Sequence, residues 1–274
     1  MQPILVTGMP RSGTTWLART LAAAPRTAML GREPMNPRGR RHYGLAGTVG
    51  GWQRIVIPGK RQRKALKLAY RGLSPWVYGR YGVHQHRACL PMTRVIVKDP
   101  FAMLSLPAIA ATVDAKIVLL YRHPAAMLSS YRKQHWQPDL DEVRELLNLD
   151  VPPQDSLPQA TAMGLFWAAL YRVALTGLPE GTIVVSHQGL AAGGSEARER
   201  LIGDLGLDSS VVTQDTIAAT NERPITRLHN LNRNPEDVAS AWKSQVSASE
   251  IAEAEGAAGE MWLRIQERSS YAVK

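Results

Sequence analysis

The feature that most constrains this chain is a loop with two glycines at residues 8–16, which reads Gly-Met-Pro-Arg-Ser-Gly-Thr-Thr-Trp. A short apolar run at residues 3–7 comes directly before it, and a helical pattern starting near Thr14 comes directly after it. A strand, a tight loop and a helix in this order form a phosphate cradle, because the glycines let backbone N–H groups converge where the positive helix end points. The side chains that add donors are those of Arg11, Ser12, Thr14 and Thr15.

This loop differs from the ATP-binding Walker A loop at one decisive position. Walker A reads G-x-x-x-x-G-K-[ST], and Gly8 and Gly13 have that spacing. Thr14 stands where the lysine that reaches the transferred phosphates belongs. We therefore predict a loop that holds a phosphate without ordinary ATP chemistry. The alternative is a plain glycine turn that joins a strand to a helix.

Five short apolar runs alternate with helical patterns along the 274 residues. The runs are residues 3–7, 27–30, 94–97, 116–121 and 182–185. This alternation predicts an α/β fold, a three-layer sandwich with a central parallel sheet of about five strands. We treat residues 1–274 as one domain, in which residues 34–91 are a basic insertion outside the sheet core.

The segments between the strands give further expectations. We expect helices at residues 61–72, 102–113, 124–133, 159–177, 195–205 and 248–268, with a short one near 235–243. Residues 73–92 are rich in glycine, proline and aromatic residues and predict a loop. Residues 136–158 are acidic and proline-rich, and they predict a mobile segment or lid.

The positive charge is concentrated in one part of the chain. Residues 34–98 contain 14 Arg or Lys and no Asp or Glu, within a chain whose net charge is +10. Such a block attracts anions, so the acceptor side of an enzyme, or a polyanion-binding surface, could lie there. The alternative is a solvated face that offsets the acidic C-terminal part.

Polar residues follow three of the predicted strands, where an open parallel sheet binds its ligands. Glu33 follows the second run, Lys98 and Asp99 end the third, and Arg122 follows the fourth, eight residues before Ser130. Arg122 and Ser130 can converge on one anion beside the glycine loop. Two anion sites without a Walker lysine suggest a nucleotide phosphorylated at both its 5′ and 3′ positions.

Three motifs resemble the sulfotransferases that use 3′-phosphoadenosine 5′-phosphosulfate (PAPS). The glycine loop resembles their 5′-phosphosulfate loop, and residues 119–131 resemble their 3′-phosphate element, with an arginine and a serine eight apart. Lys98-Asp99-Pro100-Phe101 resembles a segment of the tyrosylprotein sulfotransferase branch. The resemblance covers residues 3–131 and implies a P-loop-hydrolase-like fold and transfer of the PAPS sulfuryl group, without a metal.

The resemblance also implies the nucleotide contacts. The backbone of residues 11–15, which includes Ser12 and Gly13, would hold the 5′-phosphate with the hydroxyls of Thr14 and Thr15. Arg122 and Ser130 would hold the 3′-phosphate. Trp16 would pack on the adenine or, alternatively, in the core of the first helix. Arg227 and Arg233 could add contacts or could be solvated surface residues.

The acceptor must lose a proton, so a general base is needed. Cytosolic-type relatives use a histidine two residues after the strand-end lysine, but Pro100 occupies that position here. Glu33 is our first candidate and Asp99 the second, although Asp99 could cap the following helix and Glu33 could pair with an arginine of the basic block. Arg11 and Lys98 are the candidates that stabilise the charge of the transferred group.

Two other functions stay open at this stage. One is a divergent P-loop kinase-like phosphotransferase, and the other is a polyanion-binding protein built on residues 34–98. For the enzyme, the acceptor is open between a glycan, a peptide, a lipid and a small natural product, and the basic insertion would suit an anionic or polymeric one. We expect no stable nucleic-acid partner, no membrane span and a cytoplasmic location, since no signal peptide or long apolar run is visible.

Overall fold

A five-stranded parallel sheet forms the centre of the computed structural model, which describes residues 1–36, 51–79, 83–209 and 239–271. Its strands are β1 (Ile4–Thr7), β2 (Thr27–Met29), β3 (Arg94–Lys98), β4 (Lys116–Tyr121) and β5 (Ile183–Ser186), in the order β2-β3-β1-β4-β5. In the register, Val6 lies opposite Lys98 and Thr7 lies opposite Leu119. The segments that follow β1, β3 and β4 therefore meet at one edge of the sheet.

The strands are buried on both faces, as expected for a parallel sheet covered by helices. Leu5, Val97 and Leu119 belong to the hydrophobic core on one face, while Val6 and Val118 belong to the core on the other face. Because successive strand residues point to opposite faces, these short apolar runs supply both cores. The three-layer α/β architecture predicted from the sequence is confirmed.

Ten α-helices lie in the described residues. They are α1 (Thr14–Ala22), α2 (Lys60–Tyr70), α3 (Leu106–Val113), α4 (Pro124–Arg132), α5 (Leu140–Leu147), α6 (Gln159–Thr176), α7 (His187–Ala192), α8 (Gly194–Asp204), α9 (Ala248–Ala258) and α10 (Glu260–Arg268). Helices α1 and α8 contribute to one core, and α6, which packs against α4, α5, α9 and α10, dominates the other. Short 3₁₀ helices connect them at Pro75–Val77, Val83–Cys89, Pro100–Ser105, Gln154–Ser156 and Ala241–Ser244.

The segment at residues 136–158 is more ordered than its composition predicts. Helix α5 lies within it and packs against α6, with Leu140 and Val143 fully buried. These two apolar residues are three positions apart, which is enough to anchor one helical face. The surrounding acidic residues and prolines masked that pattern in the sequence.

Three other differences from the predicted elements have local causes. The helix expected over residues 248–268 is two helices, because Gly259 separates them with a φ of 51°. The helix expected over residues 102–113 begins as the 3₁₀ turn Pro100–Ser105, and Pro107 opens α3. Residues 73–92 contain two 3₁₀ helices rather than loop alone. The helix expected near 235–243 lies partly outside the described residues.

The described parts of the basic insertion pack onto the main core. Trp52 is 1% exposed, and its ring centroid lies 5.1 Å from that of Phe101 and 5.9 Å from that of Phe166. Leu66 and Tyr70 of α2 are buried in the same core. The insertion thus shares hydrophobic packing with the sheet.

None of the helices in the described ranges is both long and apolar enough to cross a bilayer.

Candidate functional site: a phosphate cradle beside two cations

The loop between β1 and α1 has a backbone that only glycine allows at two positions. Gly8 has a φ of 144°, and a Cβ there would lie 2.0 Å from the backbone oxygen of Leu120. Gly13, the N-cap of α1, has a φ of 104°, and a Cβ there would lie 2.4 Å from Cδ2 of His187. The loop is therefore held close to β4 and α7, and it curls tightly in front of the α1 N-terminus.

Tyr171 of α6 fixes the inner side of this loop. Its hydroxyl accepts a hydrogen bond from the backbone N–H of Met9 (3.3 Å) and donates one to the carbonyl oxygen of Leu120 (2.9 Å). The side chain is fully buried, and burial raises the pKa of Tyr171 above its usual value, so it stays a neutral donor. The sequence analysis missed this residue because it lies 162 positions from Met9.

Arg11 connects the loop to α4. It adopts a φ of 76°, and its Nε donates to the hydroxyl oxygen of Ser130 across 3.2 Å. Its guanidinium carbon lies 6.0 Å from the ring centroid of Trp136, within cation–π range. Two residues that the sequence assigned to different phosphates are thus in direct contact.

Arg122 is the second cation at this edge. It is 8% exposed, and the indole N–H of Trp167 donates to its backbone oxygen across 2.9 Å. Burial and, to a smaller extent, the positive charge of Arg11 lower the pKa of Arg122 to about 10. Two guanidinium groups close enough to repel each other would be stabilised by an anion bound between them.

Glu33 and Lys98 form an ion pair between the segments that follow β2 and β3. The side chains are 16% and 8% exposed, respectively. The side-chain amide of Asn36 donates to the other carboxylate oxygen of Glu33 across 2.5 Å. In the described residues Glu33 therefore pairs with the strand-end lysine, and not with an arginine of the basic block.

Asp99 holds the segment that carries Glu33. Its carboxylate is fully buried and accepts hydrogen bonds from the backbone N–H groups of Met35 (2.6 Å) and Phe101 (3.2 Å). It is the N-cap of the 3₁₀ helix Pro100–Ser105. Burial and, to a smaller extent, the negative charge of Glu33 raise the pKa of Asp99 to about 8. Both oxygens face backbone amides, which favours the capping alternative for this residue.

Trp16 and His187 lie together beside the cradle. Trp16 is partly exposed, and its ring centroid lies 5.6 Å from that of His187. Burial and, to a smaller extent, the charge of Arg122 lower the pKa of His187 to about 3, so this histidine is neutral at pH 7. Trp16 also packs against the core that contains Leu17 and Leu21, so its position fits both the adenine-facing and the core alternatives. Ser12, Thr14 and Thr15 are buried within the loop and the first turn of α1.

A cavity of about 580 Å³ lies beside the end of β4, where Tyr121 lines it. His123 lines it together with Trp242, Trp262 and Lys243. The His123 ring stacks on Trp242 at 4.6 Å between centroids, and its Nε2 lies 2.6 Å from Oε1 of Glu255. No local sequence pattern predicts this cavity, because its aromatic walls come from the distant C-terminal helices. Arg227 and Arg233 lie outside the described residues.

Among the residues that the structure describes, no three His, Cys, Asp or Glu side chains are grouped so that they could hold a metal ion.

Comparison with known proteins identifies the family. The sequence profile described as "Sulfotransferase family" matches residues 3–163. No curated protein matches the chain in sequence. The structure is similar to the sulfotransferase domain from the curacin biosynthetic pathway, at 18% identity and a TM-score of 0.53, over 100% of this chain and 99% of that one.

Two further solved structures share the fold. The sulfotransferase domain from the Synechococcus PCC 7002 olefin synthase is 20% identical with a TM-score of 0.50, over 93% of this chain and 94% of that one. Mouse sulfotransferase SULT7A1 complexed with PAP is 13% identical with a TM-score of 0.50, over 98% of this chain and 85% of that one. The family profile spans more than half of the chain, so the chain belongs to the sulfotransferase family and is a transferase that moves a sulfuryl group to an acceptor.

Proposed function

We propose that this sulfotransferase uses PAPS as its donor and releases 3′,5′-diphosphoadenosine (PAP). The observation that carries the proposal is the hydrogen bond from Arg11 to Ser130, which joins the phosphate cradle to the element of Arg122. Adjacent cation sites of this kind fit a nucleotide with two separate phosphates. Thr14, at the position of the Walker lysine, argues against a triphosphate.

The residues present fit such a nucleotide. The Gly8 and Gly13 positions, where a Cβ would collide, leave the loop backbone close to whatever binds in front of it. Backbone N–H groups of residues 11–15, with the hydroxyls of Thr14 and Thr15, would hold the 5′-phosphosulfate. Arg122 and Ser130 would hold the 3′-phosphate, and Trp16 would pack on the adenine.

The transfer proceeds by in-line attack of the acceptor oxygen or nitrogen on sulfur. A new bond from sulfur to the acceptor forms while the bond from sulfur to the 5′-phosphate oxygen breaks, and that oxygen leaves with the negative charge. Arg11 and Lys98 stabilise this charge, because preorganised cations need little rearrangement during the reaction. The proton of the acceptor goes to a carboxylate.

We assign that carboxylate to Glu33. It is partly exposed, whereas Asp99 is fully buried and both of its oxygens accept from backbone N–H groups. Lys98 contacts one oxygen of Glu33 and Asn36 contacts the other, so the group is oriented before an acceptor arrives. Lys98 can thus position the base and also neutralise the transferred group.

We propose that residues 1–274 act as one domain in the cytoplasm and that the basic insertion faces the acceptor. This insertion suits an anionic or polymeric acceptor that carries a hydroxyl or amine. A polyanion-binding protein without enzyme activity would explain the insertion, but it would leave the cradle and the Arg122–Ser130 spacing without a role. A kinase-like phosphotransferase would need the missing Walker lysine.

Isothermal titration with PAP and, separately, with ATP–Mg²⁺ tests the proposal. We expect PAP to bind without metal and more tightly than ATP–Mg²⁺. A preference for ATP–Mg²⁺ would overturn the proposal and favour the kinase-like alternative.

A further inference from the structure

Helix α2 carries an exposed stripe of positive charge that takes no part in the nucleotide and proton-transfer contacts proposed above. Lys60, Lys64, Lys67 and Arg71 follow each other at spacings of four, three and four residues, so they lie along one side of the helix and its C-cap. Arg61 and Arg63 flank this stripe, and all six side chains are exposed. With a rise of about 1.5 Å per residue, the stripe is about 16 Å long.

The opposite side of α2 packs against the hydrophobic core. Leu66 and Ala69 are 0% exposed and Tyr70 is 1% exposed, and the helix packs against α3 and β3. Helix α3 has no charged residue between Leu106 and Val113. Within the described ranges, no ion pair includes a cation of α2. In the part of the chain that the structure describes, the stripe is therefore exposed without acidic partners, and it is complementary to an anionic surface.

Large apolar side chains are exposed at both ends of this stripe. Val56 and Ile57, just before the helix, are 65% and 85% exposed. Leu73 and Trp76, just after it, are 54% and 44% exposed. Leu68, on the helix itself, is 37% exposed. Neighbouring exposed apolar residues of this size usually mark a contact surface.

We propose that the surface formed by residues 54–76 docks the protein on an anionic lipid bilayer. Basic residues on a surface helix are attracted to acidic headgroups, and aliphatic and Trp side chains next to them insert at the headgroup boundary. A soluble polyanion would use the cations, but it would leave the exposed Val56–Ile57 pair without a role. The association is peripheral, and it is independent of the proposed donor nucleotide.

Vesicle sedimentation of the full chain tests this proposal, with phosphatidylcholine vesicles that contain or lack phosphatidylserine. We expect binding to the anionic vesicles only, and weaker binding as salt rises. The double variant Lys64→Gln/Lys67→Gln should reduce the partition coefficient about tenfold or more, given the attraction of each basic residue to the surface. The variant Ile57→Ser should reduce it about fivefold, through the lost apolar insertion.

The matched control removes two exposed positive charges from the opposite end of the sheet. Arg264 and Arg268 lie on α10, which packs against α6 and β5, whereas α2 packs against β3. Arg264→Gln/Arg268→Gln should leave the vesicle partition within about twofold of the wild type. An equal loss in this control would overturn the proposal, because net charge rather than α2 would then govern binding.

Heparin binding distinguishes a protein surface that binds lipid from one that binds any soluble polyanion. We expect Ile57→Ser to weaken vesicle binding while heparin binding stays unchanged. Two results would overturn the proposal: wild-type protein that does not bind anionic vesicles, or an Ile57→Ser variant that partitions as the wild type does. The second result would point to a soluble polyanion as the partner. All substituted side chains are exposed, and unchanged thermal midpoints will verify that the variants fold.

Discussion

Nε of Arg11 donates a hydrogen bond to the hydroxyl oxygen of Ser130 across 3.2 Å, although 119 residues separate the two in the chain. The bond joins the loop that follows β1 to α4, the helix that follows β4. In the proposed complex with PAPS, the guanidinium would contact both the transferred group and the neighbouring 3′-phosphate. The predictions below follow from this arrangement and from the carboxylates beside it.

Replacement of Glu33 by Gln should abolish transfer while nucleotide binding is retained. The variant keeps a side chain of the same size but cannot take the acceptor proton, and general base catalysis contributes about 10²- to 10⁴-fold. We expect kcat with PAPS and a panel of hydroxyl acceptors to fall by that amount, and PAP affinity to stay within about threefold. The exposed Glu180 gives the control Glu180→Gln, which should have wild-type kcat. Near-normal turnover of Glu33→Gln would assign the base to another residue.

Asp99 should make the protein less stable as pH rises toward 8. Its folded pKa, raised to about 8 by burial, lies above the unfolded value near 3.9, so the folded state binds the extra proton between these pH values. The stabilisation is therefore complete below pH 4 and is lost as pH rises through 8. In Asp99→Asn this decrease should disappear from the thermal midpoint measured between pH 5 and 8.

The Asp99→Asn variant should also be less stable overall, by about 1–3 kcal/mol, since Met35 or Phe101 loses an acceptor for its buried N–H. The variant Asp150→Asn, at an exposed position, should keep both the wild-type stability and its pH dependence. A wild-type midpoint that rises between pH 5 and 8 by an amount that Asp99→Asn removes would contradict the assigned direction.

Tyr171→Phe should weaken the attachment of the glycine loop to α6 and β4. The hydroxyl serves Met9 and Leu120 together, so its removal leaves two buried backbone groups without a partner. We expect a loss of about 1–3 kcal/mol in unfolding free energy, measured by urea denaturation, and weaker PAP binding. The hydroxyl of Tyr70 is also buried but has no hydrogen-bond partner in the described part of the chain. Tyr70→Phe should therefore leave the free energy of unfolding unchanged. Equal losses in the two variants would contradict the role of the Tyr171 hydroxyl in holding the loop.

The sequence predicted the fold, and it also supplied the candidate residues of the site, because the signals of both are local. Each buried strand is a continuous apolar run, and Gly8, Gly13, Arg122 and Ser130 stand at fixed short spacings next to those runs. The position of Lys98 beside the end of β1 also followed, since parallel strands bring their carboxyl ends to one edge. The family profile and the parallel sheet confirm the family and the fold, and the roles of these residues stay predictions.

The remaining contacts depend on packing between distant segments. Tyr171 and Trp167 are four residues apart on α6, so one helix face reaches both the cradle and Arg122, but the apolar sequence of α6 shows no polar role for them. The pairing of Glu33 with Lys98 spans 65 residues, and the only ion-pair partner that the sequence suggested for Glu33 was an arginine of the basic block. The cavity beside His123 is partly lined by α10, and the separation of α10 from α9 depends on Gly259.

The roles assigned to Arg11, Arg122 and Ser130 predict a specific contribution of the 3′-phosphate to binding. Titration calorimetry should compare PAP with 5′-AMP, which lacks only that phosphate, in the wild type and in Arg122→Gln. Since charge-assisted hydrogen bonds contribute about 1.5–3 kcal/mol each, the wild type should bind PAP about 100-fold more tightly than AMP. The variant should lose most of this preference and still bind AMP as the wild type does. Equal affinity of the wild type for the two nucleotides, or a preference that survives in a folded Arg122→Gln variant, would contradict a 3′-phosphate site at Arg122.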